Sequence, residues 1–281
     1  MIEYRPCFER DTARRPPVLT ARDRELILAC FHHQGLTRPQ LQRIVGMPGV
    51  TRINQRLRQL YDGRYLERLR VGTVGAGMQP IYLAGEAAVP LIAVETDRDP
   101  SLIREWLRED ARASATFLPH DLEVNDVRIA LTAAIEADPQ LQLRAWENAR
   151  TCYNPYAEGR VLRPDGYLRF SEGDMAHNCF LEVDRSTMNL ARWGEKVQRY
   201  LDFRASGAFR EHYHFEQFRV LVTVPTAVRL AHLVAATRKV TDRSFWFAVT
   251  GELLIDADCR RPIWQPVGQG GRRALCEGTG R

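Results

Sequence analysis

Five carboxylates fall within one short stretch of the chain, residues 163–185, and three of them, Asp165, Glu182 and Asp184, are the side chains best suited to chemistry. Two apolar runs separated by a Ser-Glu-Gly-Asp turn predict a pair of antiparallel strands there. Glu182 and Asp184 are two residues apart, so on a strand they face the same side, and strand pairing brings Asp165 near them. Carboxylates that share a patch repel one another unless a cation or protons intervene. Because Mg²⁺ and Mn²⁺ prefer oxygen ligands, this stretch predicts a divalent metal site.

Composition limits the class of protein. The chain has 281 residues, which is enough for two domains, and its hydrophobic fraction of 44% is typical of a globular protein. No apolar run is long enough for a membrane helix and the N-terminus has no apolar core, so we expect a cytoplasmic protein with no membrane partner. The six cysteines include no Cys-x-x-Cys pair, which indicates reduced structural thiols rather than a zinc site.

The first predicted domain is a winged helix-turn-helix at residues 18–95, preceded by a flexible arm at residues 1–17. Thr20, Thr37 and Thr51 each stand before an apolar pattern of helical period and suit helix caps. Two short strands joined by a glycine-rich tip follow the third helix and predict a β-wing. Three helices and a wing in this order predict a DNA-binding module.

The polar face of the third helix and the wing carry side-chain types that bind double-stranded DNA. These residues are Thr51, Arg52, Asn54, Gln55, Arg56, Arg58, Gln59, Arg68 and Arg70. Gln55 and Arg56 suit base edges, whereas Thr51, Arg52 and the wing arginines suit phosphates. Residues 19–71 hold ten arginines against four acids, which favours DNA over the alternatives of a solvated helix face or a protein-interaction module.

The rest of the chain predicts an α/β domain. Residues 96–118 form a connector helix that suits either a homodimer contact or simple packing. Residues 119–267 alternate helices and strands, starting with an amphipathic helix that His120 caps, and predict a sheet flanked by helices. The glycine-rich tail, residues 268–281, is expected to be disordered.

The element order of residues 119–267 resembles that of restriction-endonuclease-like PD-(D/E)xK nucleases. Pro164-Asp165 stands where that family has Pro-Asp, and Glu182-Val183-Asp184 stands where it has (Asp/Glu)-x-Lys. The sequence departs from the family at Asp184, which occupies the lysine position. Lys196 on the following helix is one candidate substitute for that lysine, and Arg185 is another.

The whole arrangement resembles the replication-relaxation family of plasmids and mobile elements. The segments that carry this resemblance are LTARDRELI, HDLEVNDVRIAL, RPDGYLRF, FLEVDRSTMNLARWGEKVQRY and FRVLVTV. The resemblance implies an α/β protein in which an N-terminal winged helix-turn-helix is followed by a nuclease-like domain. It also implies a role in plasmid replication, DNA relaxation or transfer, with replication or mobilisation proteins as partners.

Two functions follow from this interpretation. In the first, the protein is a metal-dependent DNA nickase or endonuclease: Asp165 and Glu182 hold Mg²⁺ or Mn²⁺, Asp184 or Glu147 assists, and Lys196 stabilises charge on the phosphate. Cleavage is then hydrolytic, whereas a relaxase would use a tyrosine nucleophile, for which the candidates are Tyr153, Tyr156 and Tyr200.

In the second function, the protein is a regulator of transcription or replication that binds no metal. The nuclease-like domain is inactive in this case and serves dimerisation or partner binding, while Glu182 and Asp184 pair with Arg163 or Arg185. The sequence leaves four polar residues without an assigned role. These are His120, Asn125, His212 and His214.

Overall fold

The structure, a computed structural model, describes residues 9–11, 13, 15–71, 79–112, 118–255 and 258–277. The chain divides into two compact units, Met1–Asn125 and Asp126–Arg281. The division falls inside a helix, whereas the sequence places the start of the second domain at residue 119. None of the helices within the described ranges is long and apolar enough to cross a bilayer.

Over its described residues, the first unit contains five complete α-helices, one 3₁₀ turn, the start of a sixth α-helix and a small sheet. In chain order these elements are α1 (Ala21–His32), β1 (Leu36–Thr37), α2 (Arg38–Ile44), α3 (Val50–Asp62), β2 (Leu66–Val71), β3 (Gln79–Ala84), a 3₁₀ turn (Glu86–Ala88), α4 (Val89–Thr96), α5 (Pro100–Arg112) and the start of α6 (Leu118–Ala137). The three strands pair antiparallel in the order β1-β3-β2. The tip that joins β2 to β3, residues 72–78, lies outside the described residues.

Helix caps explain where α1 and α2 begin. Thr20 and Thr37 each form a reciprocal capping box with the third residue of their helix, Asp23 and Gln40 respectively. The predicted cap at Thr51 is wrong, because α3 begins at Val50 with Gly49 as its N-cap. Glycine is accepted at this position, so the helix starts earlier than a search for hydroxyl caps suggests.

The described part of the arm before α1 makes specific contacts with the first unit, whereas the sequence predicts a flexible arm. The Arg10 guanidinium lies 4.0 Å from the centre of the Tyr61 ring, and Arg10 also pairs with Glu67. The backbone amide of Asp11 donates a 3.0 Å hydrogen bond to Asp62 Oδ1. Arginine side chains bury apolar stems while their charged heads find partners, which the composition of the arm does not reveal.

The second unit is built on one six-stranded sheet. After α6, its elements are β4 (Leu141–Asn148), β5 (Asn154–Ala157), β6 (Arg160–Leu162), β7 (Gly166–Glu172), β8 (Met175–Val183), α7 (Leu190–Ala205), α8 (Ala208–Tyr213), β9 (Arg219–Val224), α9 (Ala227–Arg238), β10 (Phe245–Val249), α10 (Thr250–Ile255) and β11 (Gln265–Pro266). The sheet order is β11-β10-β9-β8-β7-β4, and β5 pairs with β6 as a separate hairpin. The predicted α/β class is confirmed.

Strand direction changes at β8. The strands β4, β7 and β8 form an antiparallel meander, and β8, β9 and β10 run parallel. Parallel neighbours need a crossover, and α7 and α9 supply the two crossovers here. The core beneath α7 is aromatic: Phe180 of β8 packs against Tyr200 and Phe203 of α7 at centroid distances of 5.8 and 6.0 Å.

Three parts of the second unit differ from the sequence prediction. The hairpin β5–β6, the short helix α8 and the elements α10 and β11 were not predicted. The tail prediction is wrong for residues 268–277, where Leu275 is 1% exposed and its amide donates to Cys259 O at 2.9 Å. Arg219 holds the same segment through a 2.7 Å hydrogen bond to Leu275 O. An Ala-Leu-Cys run is thus buried despite its glycine-rich surroundings.

Candidate active site

Asp165 is fixed directly beside Glu182 by the backbone of the neighbouring strand. The amide of Asp165 donates to Leu181 O at 3.0 Å, and its Oδ2 accepts a 2.7 Å hydrogen bond from the amide of Val183. These two backbone groups lie on either side of Glu182. Gly166 follows Asp165, and a Cβ at that position would lie 3.1 Å from Glu147 O, so a small residue lets β7 enter the sheet here.

Glu182 points toward α7, where both of its carboxylate oxygens are engaged. Its Oε1 accepts a 2.5 Å hydrogen bond from the Tyr200 hydroxyl, and its Oε2 pairs with Lys196 Nζ. Lys196 and Tyr200 are four residues apart and therefore lie one turn apart on the same helix face. Glu182 is 2% exposed and therefore buried at the end of β8, whereas the Lys196 side chain keeps 22% of its surface exposed.

The position of α7 follows from its own sequence. The Asn189 side chain caps the helix by accepting from the amide of Arg192 at 2.9 Å. Trp193, one turn before Val197, is 2% exposed, and its indole Nε1 donates to Thr237 Oγ1 of α9 at 2.8 Å. These anchors fix the rotation of α7 and hence the direction of the Lys196 side chain.

Burial sets the protonation behaviour of the cluster. Burial raises the pKa of Glu182 to about 7, and the charge of Asp165 adds to this effect while Lys196 opposes it. Burial alone lowers the pKa of Lys196, but the carboxylates of Glu182 and Asp165 outweigh it, so its pKa is raised. Burial and the nearby Glu182 raise the pKa of Tyr200, which therefore acts as a hydrogen-bond donor.

Asp184 does not join this cluster, contrary to the prediction. It lies beyond the last residue of β8, and both of its oxygens accept hydrogen bonds from Arg229 of α9, at 2.8 and 2.7 Å. Its Oδ1 also accepts from the amide of Ser186 at 2.8 Å. The prediction that Glu182 and Asp184 face the same side is wrong because it requires both to lie on one strand, and β8 ends between them at Val183. Lys196 and Tyr200 engage Glu182, and Arg229 engages Asp184.

A second buried polar group adjoins the site. Tyr213 of α8 donates to Glu147 Oε2 at 3.3 Å and to Asn154 Oδ1 at 3.0 Å, and its hydroxyl lies 3.8 Å from Cys152 Sγ. Burial raises the pKa of Glu147. Burial also raises the pKa of Cys152 to about 12, and the charges of Glu147 and Glu182 both contribute. Glu147 itself makes none of the direct contacts described for Glu182.

The predicted DNA-binding residues fall into two groups in the structure. Thr51, Arg52, Asn54 and Gln55 are exposed along α3. Arg56 is not a free base-reading side chain: it pairs with the fully buried Asp23 of α1 and donates to Val18 O at 2.9 Å.

The other residues that were predicted to contact DNA also have partners within the first unit. Gln59 Oε1 accepts from Arg56 at 2.6 Å, and Arg58 donates to Asp62 at 3.1 Å and to Glu9 O at 2.7 Å. The Arg68 guanidinium lies 4.4 Å from the centre of the Tyr61 ring. The side chain of Arg70 lies outside the described residues.

The four residues without an assigned role are placed as follows. Asn125 is 5% exposed and donates to His33 O at 3.0 Å and to Gly35 O at 2.9 Å, so it ties α6 to the end of α1. His120 lies inside the first turn of α6 and is not its cap, because the helix already begins at Leu118. His212 and His214 are exposed at the end of α8.

The donors at the site fit a hard divalent cation. The acidic donors next to Lys196 are the carboxylates of Asp165 and Glu182, and Mg²⁺ is commonly held by one or two carboxylates together with water and substrate phosphates. Over the described ranges, no group of three or more His, Cys, Asp or Glu side chains is arranged to hold a metal ion. The site therefore brings together two carboxylates, those of Asp165 and Glu182, beside one ammonium group.

Comparisons with known proteins give two findings. The sequence profile described as replication-relaxation matches residues 30–217. Restriction endonuclease FokI is similar at 15% identity and a TM-score of 0.35, over 84% of this chain and 43% of FokI, so the chain spans less than half of that protein. A search of curated proteins returns no match.

Proposed function

This chain belongs to the replication-relaxation family, and we propose that it is a DNA-binding protein whose second unit is a metal-dependent DNA nickase or endonuclease. The observation that carries this proposal is the convergence of Asp165, Glu182 and Lys196 at one end of the sheet. Two carboxylates suit the binding of a divalent metal, and one ammonium suits the stabilisation of charge on a phosphate during hydrolysis. The lysine that is absent from position 184 is supplied by α7.

Each side chain has a distinct part in this chemistry. A bound Mg²⁺ or Mn²⁺ would polarise the phosphate and activate water. Asp165 and Glu182 would hold the ion, with Asp165 kept in place by the Val183 amide. Lys196 remains charged because both carboxylates raise its pKa, so it can stabilise negative charge on the phosphate. Tyr200 orients Glu182 through its 2.5 Å hydrogen bond.

The first unit would bind the duplex through α3. Arg52, Asn54 and Gln55 expose charged and amide side chains on one helix, which are the types that contact phosphates and base edges in the major groove. The order of three helices followed by an antiparallel β2–β3 pair supports the assignment of this unit as a winged helix-turn-helix.

The test is nicking of negatively supercoiled plasmid by the full chain in Mg²⁺ or Mn²⁺. We expect Asp165→Asn, Glu182→Gln and Lys196→Met each to lower the nicking rate by at least about 100-fold. Asp174→Asn is the matched control, because Asp174 lies in the β7–β8 turn at the opposite end of the same hairpin. Nicking that survives in Asp165→Asn, or no nicking by the unaltered protein in either metal, would reject the proposal.

The same reaction separates hydrolysis from a tyrosine nucleophile. Hydrolysis leaves ends free of protein, whereas a tyrosine nucleophile leaves the protein attached to the DNA on a denaturing gel. Tyr200 is 1% exposed and donates to Glu182, which favours hydrolysis.

One observation favours a second function, a regulator without catalysis. Glu182 is buried with both oxygens bonded inside the protein, as expected for a carboxylate that only stabilises the fold. In that case Glu182→Gln would lower the melting temperature, and the unaltered protein would bind the duplex with equal affinity in Mg²⁺ and in EDTA without cleaving it.

A further inference from the structure

Tyr153 is an exposed aromatic side chain close to the candidate active site. It exposes 48% of its surface, and it is the only aromatic among the large hydrophobic side chains that the described residues expose. It lies between β4 and β5, directly after Cys152. Its ring contacts Arg163, which is two residues before Asp165. The loop that presents Tyr153 therefore lies near the start of β7, where Asp165 stands.

Arg163 lies over the Tyr153 ring with its guanidinium carbon 4.9 Å from the ring centre. Arg163 is exposed, and among the residues that the structure describes it has neither a carboxylate nor a carbonyl partner. Its five N–H donors are therefore available to a ligand. This sets Arg163 apart from Arg229 and Arg56, whose guanidinium groups are bound to Asp184 and Asp23.

The pair stands at the open end of the β5–β6 hairpin, where Asn154 is opposite Leu162. Arg163 is two residues before Asp165, whose amide and carboxylate are both bonded to the β8 backbone. Tyr153 comes from the other side of the β5–β6 hairpin, and its amide donates to Thr151 O at 2.9 Å. An aromatic face and a planar cation, brought together by the two ends of this hairpin, make a surface suited to a flat ring with a negatively charged group attached to it.

We infer that Tyr153 and Arg163 form a platform for one unpaired nucleotide of a DNA strand next to Asp165. The base stacks on the platform, and the guanidinium contacts the adjoining phosphate. A base within a duplex has both faces covered by its neighbours, so only an unpaired base can use an exposed ring in this way. The inference rests on the proposed function and deepens it, because it specifies a locally unpaired strand as the substrate of the site.

The experiment uses the full chain in EDTA, so that no cleavage occurs, and single-stranded oligonucleotides that contain 2-aminopurine. Stacking on the platform should quench the fluorescence of this base, and anisotropy of a labelled strand gives its affinity. Tyr153→Ala should abolish the quenching and weaken single-strand binding by roughly 5- to 150-fold. Tyr153→Phe keeps the ring and should preserve both signals.

The arginine is tested by the salt dependence of binding. Arg163→Ala should weaken single-strand binding and lower the slope of log affinity against log salt concentration by about 0.7. Arg163→Lys keeps the charge and should restore the slope but not the full quenching, since lysine lacks the planar group. Arg238→Ala, at the exposed end of α9, removes the same charge and should change neither signal.

Two results would overturn the inference. One is unchanged quenching and affinity in Tyr153→Ala, and the other is no quenching by the unaltered protein. The proposed function is tested by a different measurement, which is plasmid nicking by the unaltered protein and by the Asp165→Asn variant. If nicking depends on Asp165 while Tyr153→Ala binds normally, the platform is wrong and the nuclease stands. If quenching depends on Tyr153 while no plasmid is nicked, the platform stands and the nuclease is wrong.

Discussion

Replacing Arg56 with alanine should unfold the first unit more readily rather than remove a contact to a DNA base. Arg56 donates two hydrogen bonds to Asp23, which is completely buried, and further bonds to Val18 O and Gln59 Oε1. These contacts join α3 to α1 and to the segment before α1. In the Arg56→Ala variant, the donors that Asp23 keeps among the described residues are those of Thr20, both at 2.6 Å, and Asp23 stays buried as an uncompensated charge.

The expected cost comes from that uncompensated charge. Removing one partner of a buried ion pair costs about 3–5 kcal/mol. The Thr20 donors and the 24% exposure of the Arg56 side chain place this case near the lower limit, about 3 kcal/mol. A change of that size corresponds to roughly 150-fold faster amide hydrogen exchange through unfolding of α1 and α3.

Hydrogen exchange followed by mass spectrometry measures this effect locally, which suits a chain of two units. Arg52→Ala is the matched control, because Arg52 is exposed on the same helix and should leave exchange unchanged. The double variant Asp23→Asn, Arg56→Ala should recover part of the loss, since the buried charge is gone. If Arg56→Ala keeps normal exchange protection but loses duplex binding, Arg56 reads DNA and the structural role is refuted.

The same pair predicts a dependence on pH. Burial alone would raise the pKa of Asp23, but hydrogen bonds from Arg56 and Thr20 outweigh it, and the folded-state pKa lies below the ordinary value of 3.8. A lowered folded-state pKa means that the contribution to stability is complete above about pH 4 and is lost as pH falls through the folded value. Acid denaturation of α1 and α3 should therefore begin at a higher pH in Arg56→Ala. Identical acid midpoints would contradict this.

Three further outcomes are expected. Arg52→Ala and Gln55→Ala should both weaken duplex binding in fluorescence anisotropy. Only Arg52→Ala should lower the slope of log affinity against log salt concentration, by about 0.9. Equal slopes in the two variants would show that Arg52 contacts no phosphate. Arg229→Ala should destabilise the second unit by about 3 kcal/mol in thermal denaturation, because Asp184 is 8% exposed and loses its cation, and an unchanged melting temperature would count against a structural Asp184. Ending the chain after residue 267 should cost about 2 kcal/mol or more, because Leu275 is 1% exposed, and wild-type stability would mean that this segment packs only weakly.

Local signals explain which elements the sequence predicts. The capping boxes at Thr20 and Thr37 involve residues three apart, so α1 and α2 can be read directly from the chain. The pairing of β7 with β8 also follows from a short turn between two apolar runs. Asp165 and Glu182 were placed together for the same reason, because a hairpin fixes the register of its two strands.

Contacts between distant residues explain what the sequence does not reveal. Arg56 looks like a base-reading residue until Asp23, 33 positions earlier, is seen to bind it. The spacing of Asp184 from Glu182 suggests that both lie on one face of a strand. In the structure, Asp184 lies just beyond the end of β8 and binds the guanidinium of Arg229, 45 positions later. The spacing from Glu182 to Lys196 crosses from a strand to a helix, so neither a period of 2 nor a period of 3.6 residues describes it. Only the packing of α7 on the sheet decides whether the lysine reaches the acid.

The crossover helix α7 also determines how proteins with this site can be recognised. The acid and the cation belong to two elements of one continuous segment, as Glu-x₁₃-Lys-x₃-Tyr. The position that the PD-(D/E)xK pattern gives to lysine lies just beyond the end of β8 and holds Asp184, which binds Arg229. A sequence pattern that requires lysine on the strand does not match this chain. A pattern that starts at an acid on a sheet strand and looks for a lysine and a tyrosine one turn apart on the next helix would retrieve it. Chains set aside as degenerate nucleases can be sorted again by that criterion.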